Sequence, residues 1–222
     1  MGQAVADIVT RQDDLVLAGT WTRGASIDDV VAVSDVVVDF SLPQGTEEVA
    51  ASVLRHGKPL VCGVSGLDEW QMQLIDAAAR EVAVVYDRNM SLGIAILVHS
   101  VREAAASLGM DFKIDISETH HVHKRDAPSG TALKLGEAIA ESRGEAGTGS
   151  VRFHSERRGE VPGDHEVLMT SPSEQLTFAH SVTTRQVFAD GAVRAARWCI
   201  GKGPGRYEMR DVLFRQQPMA RK

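Results

Sequence analysis

Apolar positions along the chain fall into two regimes. Over the first ninety residues they come as short segments of alternating character. "GQAVADIVTRQ" sets Val5, Ile8 and Val9 on one helical face. "LVLAGTW" (15–21) predicts a short strand, and "DVVVDF" (35–40) a buried one rich in β-branched residues. "PQGTEEVAASVLRHG" (43–57) predicts a helix, with Pro43 early, Glu47 and Glu48 in the first turns and Gly57 at its end. "PLVCGV" (59–64) then predicts a strand, "LDEWQMQLIDAAAR" (67–80) a helix and "VAVVY" (82–86) another strand. Strands alternating with helices through short loops predict an α/β fold with a doubly wound parallel sheet.

From about Met90 the pattern changes. A longer helix, "LGIAILVHSVREAAASLG" (92–109), leads into "FKIDISETHH" (112–121), where Phe112, Ile114 and Ile116 alternate as in a half-exposed strand. A helix is predicted from about Ser129 to Ser142, followed by the loop "GEAGTG" (144–149). "HEVLMT" (165–170) and "EQLTFAHSV" (174–182) predict strands joined by a turn at "SPS". Consecutive strands without intervening helices predict a mixed or antiparallel open sheet, hence a second, α+β domain. "RQVFADGAVRAARWCI" (185–200) predicts a helix, "GKGPG" breaks it, and the tail "YEMRDVLF" is expected to return to the first domain. The domains expected are therefore 1–90, completed by 201–222, and 91–200.

Composition narrows the class. A chain of 222 residues holds one large domain or two small ones, and 43% apolar with 24% charged residues is ordinary for a soluble globular protein. A net charge of −6 argues against a nucleic-acid partner. Two cysteines, Cys62 and Cys199, without CxxC spacing fit a reducing cytoplasm and no disulfide framework. The apolar run "LGIAILV" (92–98) is far shorter than a membrane span, and the amino terminus lacks the basic-then-apolar order of a secretory signal. The expectation is a soluble cytoplasmic protein with no membrane partner.

The densest chemistry lies in "ETHHVHKRDAPSGTA" (118–132). As a metal site, His121 and His123 would share one strand face with His120 on the other, and Glu118 and His165 would be recruited. Lys124 and Arg125 would repel the cation, so no metal is expected. A solvated polar turn is the bland alternative. The acid–base reading uses more of the residues, because imidazole exchanges protons near neutral pH and a nearby lysine ammonium makes an imidazolium more acidic. Asp126 and Ser129 offer helix caps, and Gly130 permits close backbone approach. The Gly130 and Thr131 amides with the helix dipole then make an anion cradle suited to a small acidic substrate.

This stretch resembles the E-x-H-H-x-x-K-x-D-A-P-S-G-T-A signature of the dihydrodipicolinate (4-hydroxy-tetrahydrodipicolinate) reductase family of bacterial lysine and diaminopimelate synthesis. "VVVDFSLPQGT", "VCGVSGLDE", "YDRNMSLG" and the closing "FADGAVRAARWCIGKGPGRYEMRDVL" resemble further segments of that family. The resemblance implies NADPH- or NADH-dependent reduction of a cyclic imine dicarboxylate by a Rossmann-like dinucleotide-binding domain and a second domain that binds substrate and builds a homotetramer. It implies His120 as proton donor and acceptor, Lys124 as second catalytic donor, and His121, Gly130 and Thr131 as substrate contacts. Gly63, Val64 and Ser65 match one cofactor loop, and Asp87, Arg88, Asn89 and Met90 the other. The family's first strand and G-x-x-G-R-M-G loop are missing, since the chain opens on a helix and only Met1-Gly2 resembles that loop's tail; the first domain is expected to be N-terminally incomplete. The acidic ribose reader appears as Thr22, followed by Arg23, which favours the 2′-phosphate of NADPH. Two alternatives stand beside this reading: a metal- or anion-binding protein without turnover, and an inactive truncated reductase.

Overall fold

Four short strands pair in parallel in the order β1 (Val37–Asp39), β2 (Leu60–Cys62), β3 (Ala83–Tyr86) and β8 (Gly205–Tyr207). The structure, a computed structural model, describes residues 1–22 and 24–214. Strands β2 and β3 are buried along their whole length, which is why they read as unbroken apolar runs. Helices α2 (Asp28–Ala32), α3 (Thr46–His56) and α4 (Glu69–Glu81) bury Val31, Val49, Val53, Ile75 and Ala78 in one core with Leu60, Cys62, Val84 and Tyr86. Asp68 starts α4 with a reciprocal cap: its carboxylate accepts from the Gln71 amide, and the Gln71 side chain accepts from the Asp68 amide. Helix α1 (Gly2–Val9) stacks on α7 (Gln186–Cys199), which crosses β1, β2 and β3.

The second sheet is mixed, in the order β5 (Val151–Arg157), β4 (Lys113–His120), β6 (Asp164–Thr170) and β7 (Gln175–Ser181). β4 runs parallel to β5 and antiparallel to β6. Its inward row, Ile114, Ile116, Val151, Val167 and Met169, packs on α5 (Leu92–Leu108) and α6 (Gly130–Ser142) through Leu97, Val101, Leu135 and Ile139. Helix α5 is long and apolar enough to cross a membrane by length and composition, yet Ile94, Leu97, Val98 and Val101 sit in this core.

Three expectations are corrected. Residues 15–21 form no strand: Val16 is 89% exposed, and an apolar stretch becomes a strand only where a sheet edge offers hydrogen bonds. A strand unforeseen in the sequence, β5, occupies 151–157; one neighbour is a strand and the other side is open, so its side chains lack a clean alternation of apolar and polar. The helix expected at 185–200 also changes sides. The two compact units are Met1–Leu92 with Gln186–Lys222, and Gly93–Arg185, so α7 belongs with the first rather than within 91–200. The reason lies in its small residues: Ala189, Ala192 and Ala195 are fully buried, and Gly191 lies so close to the Met90 carbonyl that a Cβ would stand 1.8 Å from its oxygen. The short helix α8 (Met209–Phe214) closes the same unit.

Because that oxygen belongs to the main chain and cannot rotate away, Gly191→Ala is expected to cost on the order of 3 kcal/mol. Gly2→Ala, which meets nothing within 4 Å, serves as control. Thermal denaturation of the two variants checks the difference.

Candidate active site

Glu118 is the second-last inward residue before the end of β4, and its carboxylate is almost wholly removed from solvent. A bare buried carboxylate is costly, so its partners define the site. Both terminal nitrogens of Arg157 donate to it, Nη2 to Oε1 and Nη1 to Oε2, each at 2.9 Å. The Ser129 amide donates to Oε1 at 3.3 Å. His120 Nδ1 makes a short contact with Oε2. Burial pushes the Glu118 carboxyl upward, but hydrogen bonds from Arg157, Ser155 and His120 outweigh it and hold the group below its ordinary value.

With Glu118 ionised, Nδ1 of His120 carries the proton it donates, and the other ring nitrogen, Nε2, faces away from the carboxylate. The residue is 7% exposed. Burial lowers its pKa first, Glu118 opposes this, and the Lys124 and Arg157 cations lower it further; the net direction is down. Space beside Nε2 depends on Gly163, whose φ of +151° and missing side chain matter together: a Cβ there would lie 2.9 Å from Nε2.

His165, on the neighbouring strand β6 and paired in register with Glu118, presents its ring edge-on to His120 at 5.1 Å between centroids. Ser129 Oγ accepts from the Ala132 amide as the N-cap of α6, so its own proton is available to His165 Nε2 at 3.2 Å. His165 Nδ1 is buried without a hydrogen-bond partner. Burial, then the neighbouring His120, push its pKa down to about 3.

The chain after β4 returns sharply. The Lys124 amide donates to the His121 carbonyl at 3.1 Å, and Lys124 Nζ meets Asp126 Oδ1 at 2.7 Å. Burial would raise the Asp126 pKa, but Lys124 and the Gly130 amide prevail and hold it low. The cation and the first amide of α6 thus converge on one carboxylate, the chain's own. Thr131 is buried in the first turn of that helix. His121 lies half-buried on the turn, its ring 6.0 Å from that of His123.

The structure therefore gathers His120, Lys124, Gly130 and Thr131 at one end of β4 and α6, within the second unit. His120 stacks edge-on with His165, and no group of three or more candidate metal ligands exists among the described residues. In the first unit, Gly63, Val64 and Ser65 follow β2, and Asp87, Arg88, Asn89 and Met90 follow β3. Val64, Asp87 and Met90 are buried. Asp87 accepts from the Asn89 and Met209 amides, both at 3.2 Å, which ties its loop to α8. Arg23 lies outside the described residues. Sequence reasoning missed Arg157 and Gly163 and saw His165 only as a possible metal ligand. Arg157 sits on the unforeseen strand, so nothing local signalled it.

Comparison with known proteins identifies the family. The family model described as dihydrodipicolinate reductase, N-terminus, matches residues 1–90, and the one described as its C-terminus matches 93–213. The chain belongs to the dihydrodipicolinate reductase family. A 4-hydroxy-tetrahydrodipicolinate reductase of Halorhodospira halophila is 42% identical over 89% of this chain and 81% of its own length. One of Zymomonas mobilis is 39% identical over 96% of this chain and 92% of its own length. Among solved structures, a dipicolinate-bound dihydrodipicolinate reductase of a Paenisporosarcina species superposes with a TM-score of 0.76 at 22% identity, covering 96% of this chain and 95% of that one. The fold of this family member is thus Rossmann-like α/β with a second open-sheet domain.

Burial of His165 predicts that the fold loses stability in acid. The unfolded chain protonates this imidazole near the ordinary value of 6.5, whereas the folded chain refuses the proton until about 3. The unfolded state binds more protons in that window, so stability is full above 6.5 and falls as pH drops toward 3. His165→Gln is expected to flatten the fall, read as Tm against pH.

Proposed function

We propose that this chain reduces 4-hydroxy-tetrahydrodipicolinate to tetrahydrodipicolinate with NADPH or NADH, a step of diaminopimelate and lysine biosynthesis. The observation that carries the reading is the buried His120, held by Glu118 beside the Lys124 ammonium and the amino end of α6, in a member of this reductase family. Nothing in the site favours a binding protein without turnover.

The first unit fits a dinucleotide. Its strands are all parallel, and ligands of such sheets bind beyond the carboxyl ends of the strands. There, Asp39 closes β1 with Oδ2 buried and unpartnered, and a pocket lined by Trp21, Thr22, Ser41, Leu42 and Gly45 opens. Gly63, Val64 and Ser65 form one cofactor loop, and Asp87, Arg88, Asn89 and Met90 the other; the buried members contribute main chain. Arg23, next to Thr22, would meet the 2′-phosphate of NADPH. Departure of the substrate's 4-hydroxyl as water leaves a conjugated imine, and a bound nicotinamide would supply a hydride to its electron-poor carbon.

The chain's own residues handle carboxylates and protons. Lys124 and the Gly130 and Thr131 amides exchange the Asp126 carboxylate for one of the substrate, with His121 alongside. His120 is held neutral in the free site, and two incoming negative charges raise its pKa, so substrate binding itself charges the proton donor. The imidazolium then protonates the enamine carbon left by hydride addition, and Lys124 steadies the developing charge. The same family membership supports a cytoplasmic homotetramer, with the outward rows of β4 to β7 as its interface.

Purified protein is expected to oxidise NADPH only in the presence of the hydroxylated imine dicarboxylate, with a lower KM for NADPH than for NADH. His120→Gln should cut kcat by about 10²- to 10³-fold while cofactor Kd stays within about twofold. Lys124→Ala should lower kcat and raise the KM of the dicarboxylate. Steady-state kinetics that find both variants equal to wild type would remove these roles.

A further inference from the structure

Arg157 does more than neutralise Glu118. Its Nε donates to the Lys124 carbonyl at 3.3 Å, and Nη2 reaches the Asp126 carbonyl as well as Glu118 Oε1. One planar guanidinium on β5 therefore holds the carboxylate that grips His120 and two main-chain carbonyls of the loop that carries Lys124. Lysine, with a single nitrogen, cannot reproduce that fork. These bonds run to Glu118 and to main-chain carbonyls, so Arg157 acts on His120 and Lys124 through them.

We propose that Arg157 is the positioning residue of this site. It presents the Glu118 carboxylate so that His120 keeps its proton on Nδ1 and leaves Nε2 bare for the substrate, and it fixes the 124–126 loop so that the ammonium stands beside that ring. The groups facing His120 are Glu118 on its own strand, Arg157 from β5, His165 from β6 and Lys124 from the following loop. Removing the Arg157 cation takes away one of the two positive charges that disfavour imidazolium, so the His120 titration moves upward in pH. The inference rests on the reductase reading only for its kinetic arm.

Nitrogen NMR of ring-labelled wild-type protein tests the tautomer without turnover. Nδ1 protonated and Nε2 bare is the expected result; the opposite tautomer overturns the proposal even if the chain proves an active reductase, and the expected tautomer in an inactive chain sinks the functional reading alone. Arg157→Met should lower kcat and raise the KM of the dicarboxylate, together by roughly tenfold to a hundredfold, leave the NADPH KM within about twofold, and move the pH midpoint of kcat/KM upward. If that variant does not fold, Arg157→Lys decides, because it keeps the charge and loses the fork: kcat should still drop about tenfold. Unchanged kcat, KM and pH midpoint in whichever variant folds overturns the role.

Discussion

A carboxylate without water is the constraint on which the second unit turns. Glu118 lies between β5 and β6 in the sheet, where a charge is tolerated only if every lone pair finds a donor. Arg157 supplies two donors from β5, Ser129 one from the start of α6, and His120 one from the same strand. Three segments separated in sequence, β4, β5 and the start of α6, are thereby locked to one point. Order at the site is a consequence of satisfying that charge.

The histidines show how one residue type is given different tasks by surroundings. His165 is sealed against Ser129 and driven so far from its ordinary pKa that it stays neutral, which makes it a wall for His120 rather than a proton carrier. His120 shares the burial but keeps Glu118 on one side and the space left by Gly163 on the other. His121 and His123 sit on the turn beyond the strand, the latter exposed near Glu160. His120 combines a ring held by Glu118 with the nearby Lys124 and Arg157 cations, the conditions under which an incoming anion can change a protonation state.

Anion binding in the free protein follows the same logic. Lys124 and the first amide of α6 would be a poorly satisfied pair of donors if nothing accepted from them, and Asp126, two residues on from the lysine, fills that need. In the free protein the cradle is thus filled by a carboxylate of the chain itself.

Much of this was legible in the order of residues. Alternation of short β-branched runs with amphipathic helices determined the parallel sheet of the first unit, because a strand covered on both faces must be apolar throughout. Ser129 announced the helix it caps, since an orphan amide asks for a side-chain oxygen at a fixed offset. The spacing of His120, Lys124 and Gly130 brought them to one end of β4 and α6 for the same local reason: the end of a strand, a turn and a helix start lie within a dozen residues. What only tertiary structure decided was every partner distant in sequence. Residues 15–21 remained without a sheet, α7 joined the unit onto which its small-residue face fits, and Arg157, thirty-nine positions from Glu118, became its counter-charge. Periodicity reports how a segment relates to its own neighbours, whereas strand pairing and buried charge are settled by whatever the fold brings alongside.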